Sequence, residues 1–350
     1  MTRDRRRRDS DRGTVVDVRH LLFVAIAFSA LFSASCGHQE SGARRIAFVS
    51  NGVDPFWNVC AAGARAKAAE LGVEVEIVFP SGTAEDQNQK LSDLLIRGVS
   101  GIAVSPVNSV GQVGLLNEIA ADVPLITQDT DAPESERLCF IGVDNYAAGR
   151  TVGSLVKEAC PDGGSVVIFI GRLEQNNARD RRQGVIDELL GRDSNPSRFD
   201  EVGKVPRGGK YEVLDTRVDN FDAAQAMAGA QDALVAYPDL ACMVGLFAYN
   251  PPTCLEALRS AGRLGEVQVV GFDEQDGTLD GIEAGHVYAT VSQNPYEYGS
   301  ESVRVLNAIC NGDVSVIPAN GIIGVEAAVV RKANLAEFRQ KLNERRADVK

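Results

Sequence analysis

The sequence predicts an α/β protein made of two similar Rossmann-like lobes, each a parallel sheet covered by helices. Its 350 residues exceed the usual size of a single core. Short β-branched runs alternate with helix-length spans in two successive series, the spacing of βαβ crossovers rather than hairpins. Polar residues fall mostly just past the ends of those runs, where open α/β sheets bind their ligands.

Residues 1–35 stand apart from the fold. A basic opening, TRDRRRR, leads to the uncharged run LLFVAIAFSALFSAS from Leu21 to Ser35, followed by Cys36 and Gly37. The run is short for a membrane span of about 20 residues and has the size of a signal-peptide core. Ser33, Ala34 and Ser35 form a lipoprotein-like cleavage box, with Ser33 where Leu is usual. We read residues 1–35 as an export signal, Cys36 as a lipid attachment site and residues 36–43 as a tether; ordinary cleavage and a retained anchor are the alternatives.

The first series opens with the strand IAFVS, a turn, and a helix rich in Ala and Lys that ends at Gly72. Phe56 and Trp57, the chain's only tryptophan, sit at that turn. They either face a cleft beyond the strand or pack as first helical residues beneath the sheet. The strand VEVEIVFP, a helix over Ala84 to Ile96, GIAVSP, a helix over Val110 to Ala120, VPLITQD, LCFIGVD and a helix over Tyr146 to Glu158 follow. The second series runs GGSVVIFIG, helix Arg179 to Leu190, KYEVLDTRV, helix Phe221 to Ala236, ACMVGLF, helix Pro252 to Ala261, VQVVGFD, helix Gly277 to Ala284, and VYATVSQ. Such short apolar strands suit a sheet with helices on both faces.

Composition excludes several classes of function. The chain is 44% hydrophobic and 24% charged, an ordinary globular balance, with a formal charge of -12. Outside residues 1–35, 29 basic side chains face 44 acidic ones. That argues against a nucleic-acid partner, which binds through Lys and Arg. Cys60, Cys139, Cys160, Cys242, Cys254 and Cys310 show no metal-ligand spacing and lie in apolar patterns; fifteen complete pairings are open to them, but buried free thiols are the preferred reading. Of the three histidines, His20 and His38 fall in the export and tether segments and His286 in the body. A histidine metal site or catalytic triad is thereby disfavoured, and no cofactor is expected.

Ser50, Asp54, Asp129, Asn250, Asp273 and Gln293 each follow a strand. Singly, each is ordinary turn chemistry. Together, if the strands are neighbours, they converge on one crevice whose amides and carboxylates suit hydroxyls, with aromatics covering the apolar face of a ring. That set fits a neutral polyol better than an amino acid.

The segments NGVDPFWNVCAAGARAKAAELG, GIAVSPVNS, PLITQDTD, FIGVDNYAAGR, NNARDRRQG, VQVVGFDEQ and ATVSQNPYEYG occur in the order and at the distances found in periplasmic sugar-binding proteins of the ribose-binding type. From about Arg45 to Ala333 the chain resembles that family, the solute-binding component of ABC importers with a type I periplasmic binding fold. The resemblance implies a monosaccharide, a pentose or hexose, held between the lobes by Ser50, Asp54, Phe56, Trp57, Asp129, Thr130, Arg179, Phe221, Asn250, Asp273 and Gln293. It also implies hinge crossings near Gly142 to Val143, Gln293 to Pro295 and Asn320 to Ile322. The lobes are then 44–142 plus 294–320 and 143–293 plus 321–340, with 341–350 as a tail. An ABC permease with its ATPase is the implied partner of a monomeric carrier in the periplasm or cell envelope, anchored through its lipid. Soluble repressors share this fold but carry a DNA-binding headpiece where this chain has an export signal.

Two departures bear on the sugar. Thr130 stands where ribose-specific members have an arginine, and Pro251 follows Asn250 where an acidic residue is common. Trp57 in place of Phe also enlarges one aromatic surface. Replacing Trp57 or Asp273 by Ala is expected to weaken the sugar at least tenfold, roughly 1.4 kcal/mol, with the fold intact. A membrane-tethered sugar sensor is the alternative. An α/β enzyme such as an NAD-binding oxidoreductase fits less well, since the first turn reads SNGVDPFW instead of GxGxxG.

Overall fold

The computed structural model describes residues 44–347. The first lobe holds β1 (Arg45–Val49), α1 (Pro55–Leu71), β2 (Glu74–Val78), α2 (Ala84–Ile96), β3 (Gly101–Val104), α3 (Val113–Asp122), β4 (Leu125–Gln128) and β5 (Phe140–Gly142). The second holds α4 (Asn145–Ala159), β6 (Gly164–Ile170), α5 (Asn176–Leu189), β7 (Arg207–Gly208), β8 (Tyr211–Val218), α6 (Ala223–Ala236), β9 (Leu240–Gly245), α7 (Asn250–Ser260), β10 (Gln268–Phe272), α8 (Asp276–Ala284) and β11 (Ala289–Ser292). The chain then returns through α9 (Pro295–Cys310), β12 (Ile322–Gly324), β13 (Ala328–Val330) and α10 (Leu335–Ala347).

The first sheet is entirely parallel in the order β12-β5-β4-β3-β1-β2. The second runs β13-β11-β10-β9-β6-β8-β7, parallel except for β13 and β7 at its edges. Alternation along the strands explains their unbroken apolar runs. In β1, Ile46 and Phe48 enter one core layer and Ala47 and Val49 the other. In β6, Val166, Ile168 and Ile170 face one layer and Val167 and Phe169 the opposite one. Side chains point alternately to the two faces of a strand, so a sheet covered on both sides needs apolar residues at every position.

Helix ends follow local capping chemistry. Asp54, Thr83, Asp144 and Asp222 cap four N-termini by accepting backbone N–H bonds, and Gly72 closes α1 in the left-handed region. Small residues let certain helices touch backbone to backbone. A Cβ on Gly63 of α1 would lie 1.9 Å from the Tyr296 carbonyl oxygen of α9, and one on Gly149 of α4 would lie 2.1 Å from the Arg181 carbonyl oxygen of α5.

The chain passes between the two sheets at 143–144, 293–294 and 325–327. The third passage lies later than the sequence suggested. Ile322–Gly324 was expected beyond the crossing, but it pairs in parallel with Phe140–Gly142 on the first sheet. Only Ala328–Val330 joins the second sheet, against β11. Residues 341–347 are likewise no tail but the end of α10. Leu335 and Leu342 are buried along one side of that helix, while Arg339 and Arg346 pair with Asp280 and Asp276 of α8. Those ion pairs are tertiary, and a local apolar pattern does not reveal them.

Among the described residues no helix is long and apolar enough to cross a membrane. The six cysteines of the body are free, four of them buried. The export signal, Cys36 and the tether lie outside the described residues.

Candidate functional site

A cleft of about 390 Å³ lies between the carboxyl ends of the two sets of strands. Each sheet reverses its strand order there, between β1 and β3 in the first and between β6 and β9 in the second, the topological position at which open α/β sheets form crevices.

The first-lobe wall begins at the turn after β1. Ser50 does not line the cleft; its buried Oγ donates to the Gly52 carbonyl at 2.7 Å and shapes the turn. Asn51 takes the lining position instead, with its Nδ2 donating to Ser105 Oγ at 3.2 Å. Asp54 lines the cleft and caps α1, its Oδ1 accepting the Phe56 N–H at 2.8 Å. Its other oxygen accepts from Gln275 Nε2 of the opposite lobe at 3.3 Å. Burial raises the Asp54 carboxyl above its ordinary value, opposed by the two bonds just named.

Phe56 and Trp57 both line the cleft and meet edge to face, with centroids 5.0 Å apart. The two readings of this pair are both realised in Trp57. It is only 4% exposed and packs against Phe48 in the core, yet part of its surface closes the cleft wall.

Asp129 follows β4 in the left-handed region, at φ 59°, and lines the cleft floor. Its Oδ2 accepts from Ser105 Oγ at 3.1 Å, Thr130 Oγ1 at 3.2 Å and, across the cleft, Asn177 Nδ2 at 3.5 Å. Thr130 is fully buried behind Asp129 and does not line the cleft.

On the second lobe the expected arginine is displaced by two residues. Helix α5 starts at Asn176, so Arg179 falls on its exposed side, stacked on Phe199 at 4.9 Å and away from the cleft. Two residues along an α-helix is about 200° of rotation, which turns Arg181 inward. Arg181 is 1% exposed and lies over the Phe272 ring at 4.1 Å. It donates to Asn145 Oδ1 at 2.8 Å, the Leu246 carbonyl at 3.1 Å and Gln293 Oε1 at 2.7 Å, and its Nη2 stands 3.8 Å from Asp129. The sequence held a signal for this. Ala178, Val185, Ile186 and Leu189 are the buried apolar residues of α5, and the same three-and-four spacing run backward selects Arg181 and Arg182.

Asp273 and Gln293 complete the charged centre, with Gln293 Nε2 donating to Asp273 Oδ1 at 2.7 Å. Burial pushes the Asp129 and Asp273 carboxyls upward, and the Arg181 guanidinium opposes it in both. Phe221 lines the cleft from a loop at φ 63°, just before α6. Asn250 is buried behind the lining: its Nδ2 donates to Asp219 Oδ2 at 3.0 Å and its Oδ1 accepts the Phe247 N–H at 3.0 Å. The lining residues it supports, Phe247 and Tyr249, were not singled out from the sequence. Aromatic residues beside a strand end carry no mark that separates a cleft from a core. The structure thus brings together Asp54, Phe56, Trp57, Asp129, Phe221, Asp273 and Gln293, places Ser50, Thr130 and Asn250 behind them, and leaves Arg179 outside.

Residues 46–313 match a family model described as a periplasmic binding protein domain. The ribose import binding protein of Salmonella typhimurium is 28% identical over 300 residues, covering 83% of this chain and 92% of that protein. The D-apiose import binding protein of Actinobacillus succinogenes is 27% identical over 259 residues, 71% of this chain and 76% of that one. Among solved structures, an ABC transporter solute-binding protein of Burkholderia graminis in complex with D-arabinose superposes with a TM-score of 0.75 at 25% identity, covering 83% of this chain and 96% of that chain. A glucose-galactose binding protein of Geobacillus stearothermophilus gives 0.74 at 25% identity, with coverage of 84% and 99%.

Proposed function

The chain belongs to the periplasmic binding protein family, with its kinship to the ribose-binding type, and from that premise we propose that it binds a neutral monosaccharide between its lobes. The observation that carries this reading is a buried centre in which Arg181 stands 3.8 Å from Asp129 and reaches Asp273 through Gln293, with Phe56 and Trp57 on one side of the cleft and Phe221 on the other. Fixed donors and acceptors at the floor meet sugar hydroxyls in charge-assisted bonds. Aromatic faces cover the apolar CH surface of the ring.

The protein acts as a carrier, without chemical conversion of the sugar. Three short passages between the lobes allow a hinge rotation, and an ABC permease receives the sugar from the closed form. The ligand is a pentose or hexose. Thr130, buried behind Asp129, leaves the floor without the arginine of ribose-specific members, so D-ribose has no privileged place among candidates. Outside the cytoplasm, Cys36 carries the lipid that tethers a monomeric protein to the membrane. Mass spectrometry of the N-terminal peptide tests the lipid, since an unmodified or absent Cys36 refutes it.

Calorimetric titration with D-ribose, D-arabinose, D-galactose, D-glucose and D-allose tests the reading as a whole. Saturable heat with at least one of these is the expected result. No heat and no thermal stabilisation with any of them overturns it.

A further inference from the structure

We propose that Arg172 is a latch for the closed arrangement, bonding the lobes across the mouth of the cleft independently of what the cleft holds. This rests on the reading of the cleft as a ligand site that opens and shuts. Arg172 follows β6 and lines the second-lobe side of the mouth. Its Nη1 donates to the Gly82 carbonyl of the first lobe at 2.8 Å, and its Nη2 to the Asn220 carbonyl of its own lobe at 3.2 Å. The guanidinium lies over the Phe221 ring, 5.3 Å from the centroid. One planar fork therefore spans two backbone carbonyls, one on each side of the mouth, a geometry that a lysine's single nitrogen does not reproduce.

Hydrogen bonds brace the backbone beside both acceptors. On the first lobe, Gly82 lies in the loop that leads into α2. Its neighbour Thr83 caps that helix, and the Ser81 N–H donates to Asp86 Oδ2 at 2.6 Å. On the second lobe, the Asn220 N–H donates to the Gly171 carbonyl at 3.0 Å and the Phe221 N–H to Asp219 Oδ1 at 2.9 Å. Those bonds hold Asn220 and Phe221 in the left-handed region. An acceptor fixed in advance loses little freedom when the bond forms.

The position gives the bond leverage. Gly82 follows β2, the edge strand of the first sheet, whereas the passages between lobes leave from β5 and β12 at the opposite edge. Four strand spacings separate β2 from β5, about 19 Å at roughly 4.8 Å each. On the second sheet, β6 lies three strands from β11, where another passage begins. Hinge rotation displaces a group in proportion to its distance from the axis, so the Arg172–Gly82 bond breaks early in opening and re-forms late in closing. Such a contact slows escape of a bound ligand and leaves first encounter unchanged.

The test compares wild type with Arg172→Gln and Arg172→Lys. Stopped-flow fluorescence of Trp57, the chain's only tryptophan, follows binding of D-ribose, D-arabinose and D-galactose. Small-angle X-ray scattering, with and without the same sugars, reports the closed population. The expected result for Arg172→Gln is dissociation about tenfold faster with association within about twofold, and a scattering profile shifted toward the open form; Arg172→Lys falls between. Unchanged dissociation and scattering, or an effect confined to association, overturns the latch. If none of the sugars binds wild type, the sugar reading fails by itself, and the latch is judged on ligand-free scattering. A closed population reduced by Arg172→Gln then supports it, and an unchanged or absent one overturns it.

Discussion

Arg181 and Asp129 stand 3.8 Å apart across the cleft, one on a second-lobe helix and the other just past a first-lobe strand. The guanidinium also holds Gln293, which in turn donates to Asp273. Removing one member of a buried charged group leaves the others uncompensated, at a cost of about 3–5 kcal/mol. Arg181→Ala is expected to lose stability on that scale in urea denaturation and to abolish sugar binding. A midpoint within error of wild type would show that the two carboxyls do not depend on Arg181.

Arg179 provides the contrast. Its stack on Phe199 lies on the exposed side of α5, where a cation–π contact contributes about 0.5–1 kcal/mol. Arg179→Ala should therefore change stability by no more than that and leave sugar affinity within about twofold. A tenfold loss of affinity in calorimetry would return Arg179 to the cleft.

The difference between these two arginines shows what was legible in the sequence. Alternation of strands and helices, and the placement of Asp129, Asp273 and Gln293 past strand ends, depend on local periodicity and turn chemistry, and they could be read directly. The inward face of α5 is set by the spacing of Val185, Ile186 and Leu189, which run back to Arg181 and Arg182. An arginine beside the helix start draws attention to Arg179 unless that spacing is followed through it. Ser50, Thr130 and Asn250 have the polar character of lining residues, but their partners are Gly52, Asp129 and Asp219, and such pairings are tertiary facts. The strand at Ile322–Gly324 was missed for a related reason: three residues carry no period, and only the free edge of β5 makes them a strand.

Trp57 carries two roles that substitution separates. Its ring is packed against Phe48 and Phe56 and only 4% exposed, so Trp57→Ala should destabilise by about 3–5 kcal/mol through the cavity left behind. The fold is thus not untouched by that change, contrary to the expectation drawn from sequence alone. Trp57→Phe keeps an aromatic face and leaves a smaller void. Its expected signature is a milder loss of stability together with altered preference among the sugars, measured by thermal melts and titration side by side. Equal preference across the panel would confine Trp57 to the core.

Glu274 provides a pH dependence of known sign. It lies 6% exposed beside a second cavity, of about 290 Å³, between the passage at 293–294 and helix α10. Among the described residues its Oε2 has no hydrogen-bond partner. Burial pushes its carboxyl up to about 7, against a bond from Ser292 and the attraction of Arg346 and Arg345. A carboxyl whose folded value exceeds its unfolded one, here 4.5, binds more protons when folded, so stability falls as pH rises through the interval between them. The loss sets in near pH 4.5 and continues upward toward neutral pH. Glu274→Gln removes this ionisation while keeping the shape of the side chain. The variant should match wild type near pH 4 and exceed its stability at pH 8, with the gap opening between those limits in denaturant melts. Because other buried carboxyls titrate in both proteins, the informative quantity is the difference between the two profiles. A difference that stays flat with pH, or one that favours wild type at pH 8, would mean that Glu274 is ionised and well paired in the folded protein.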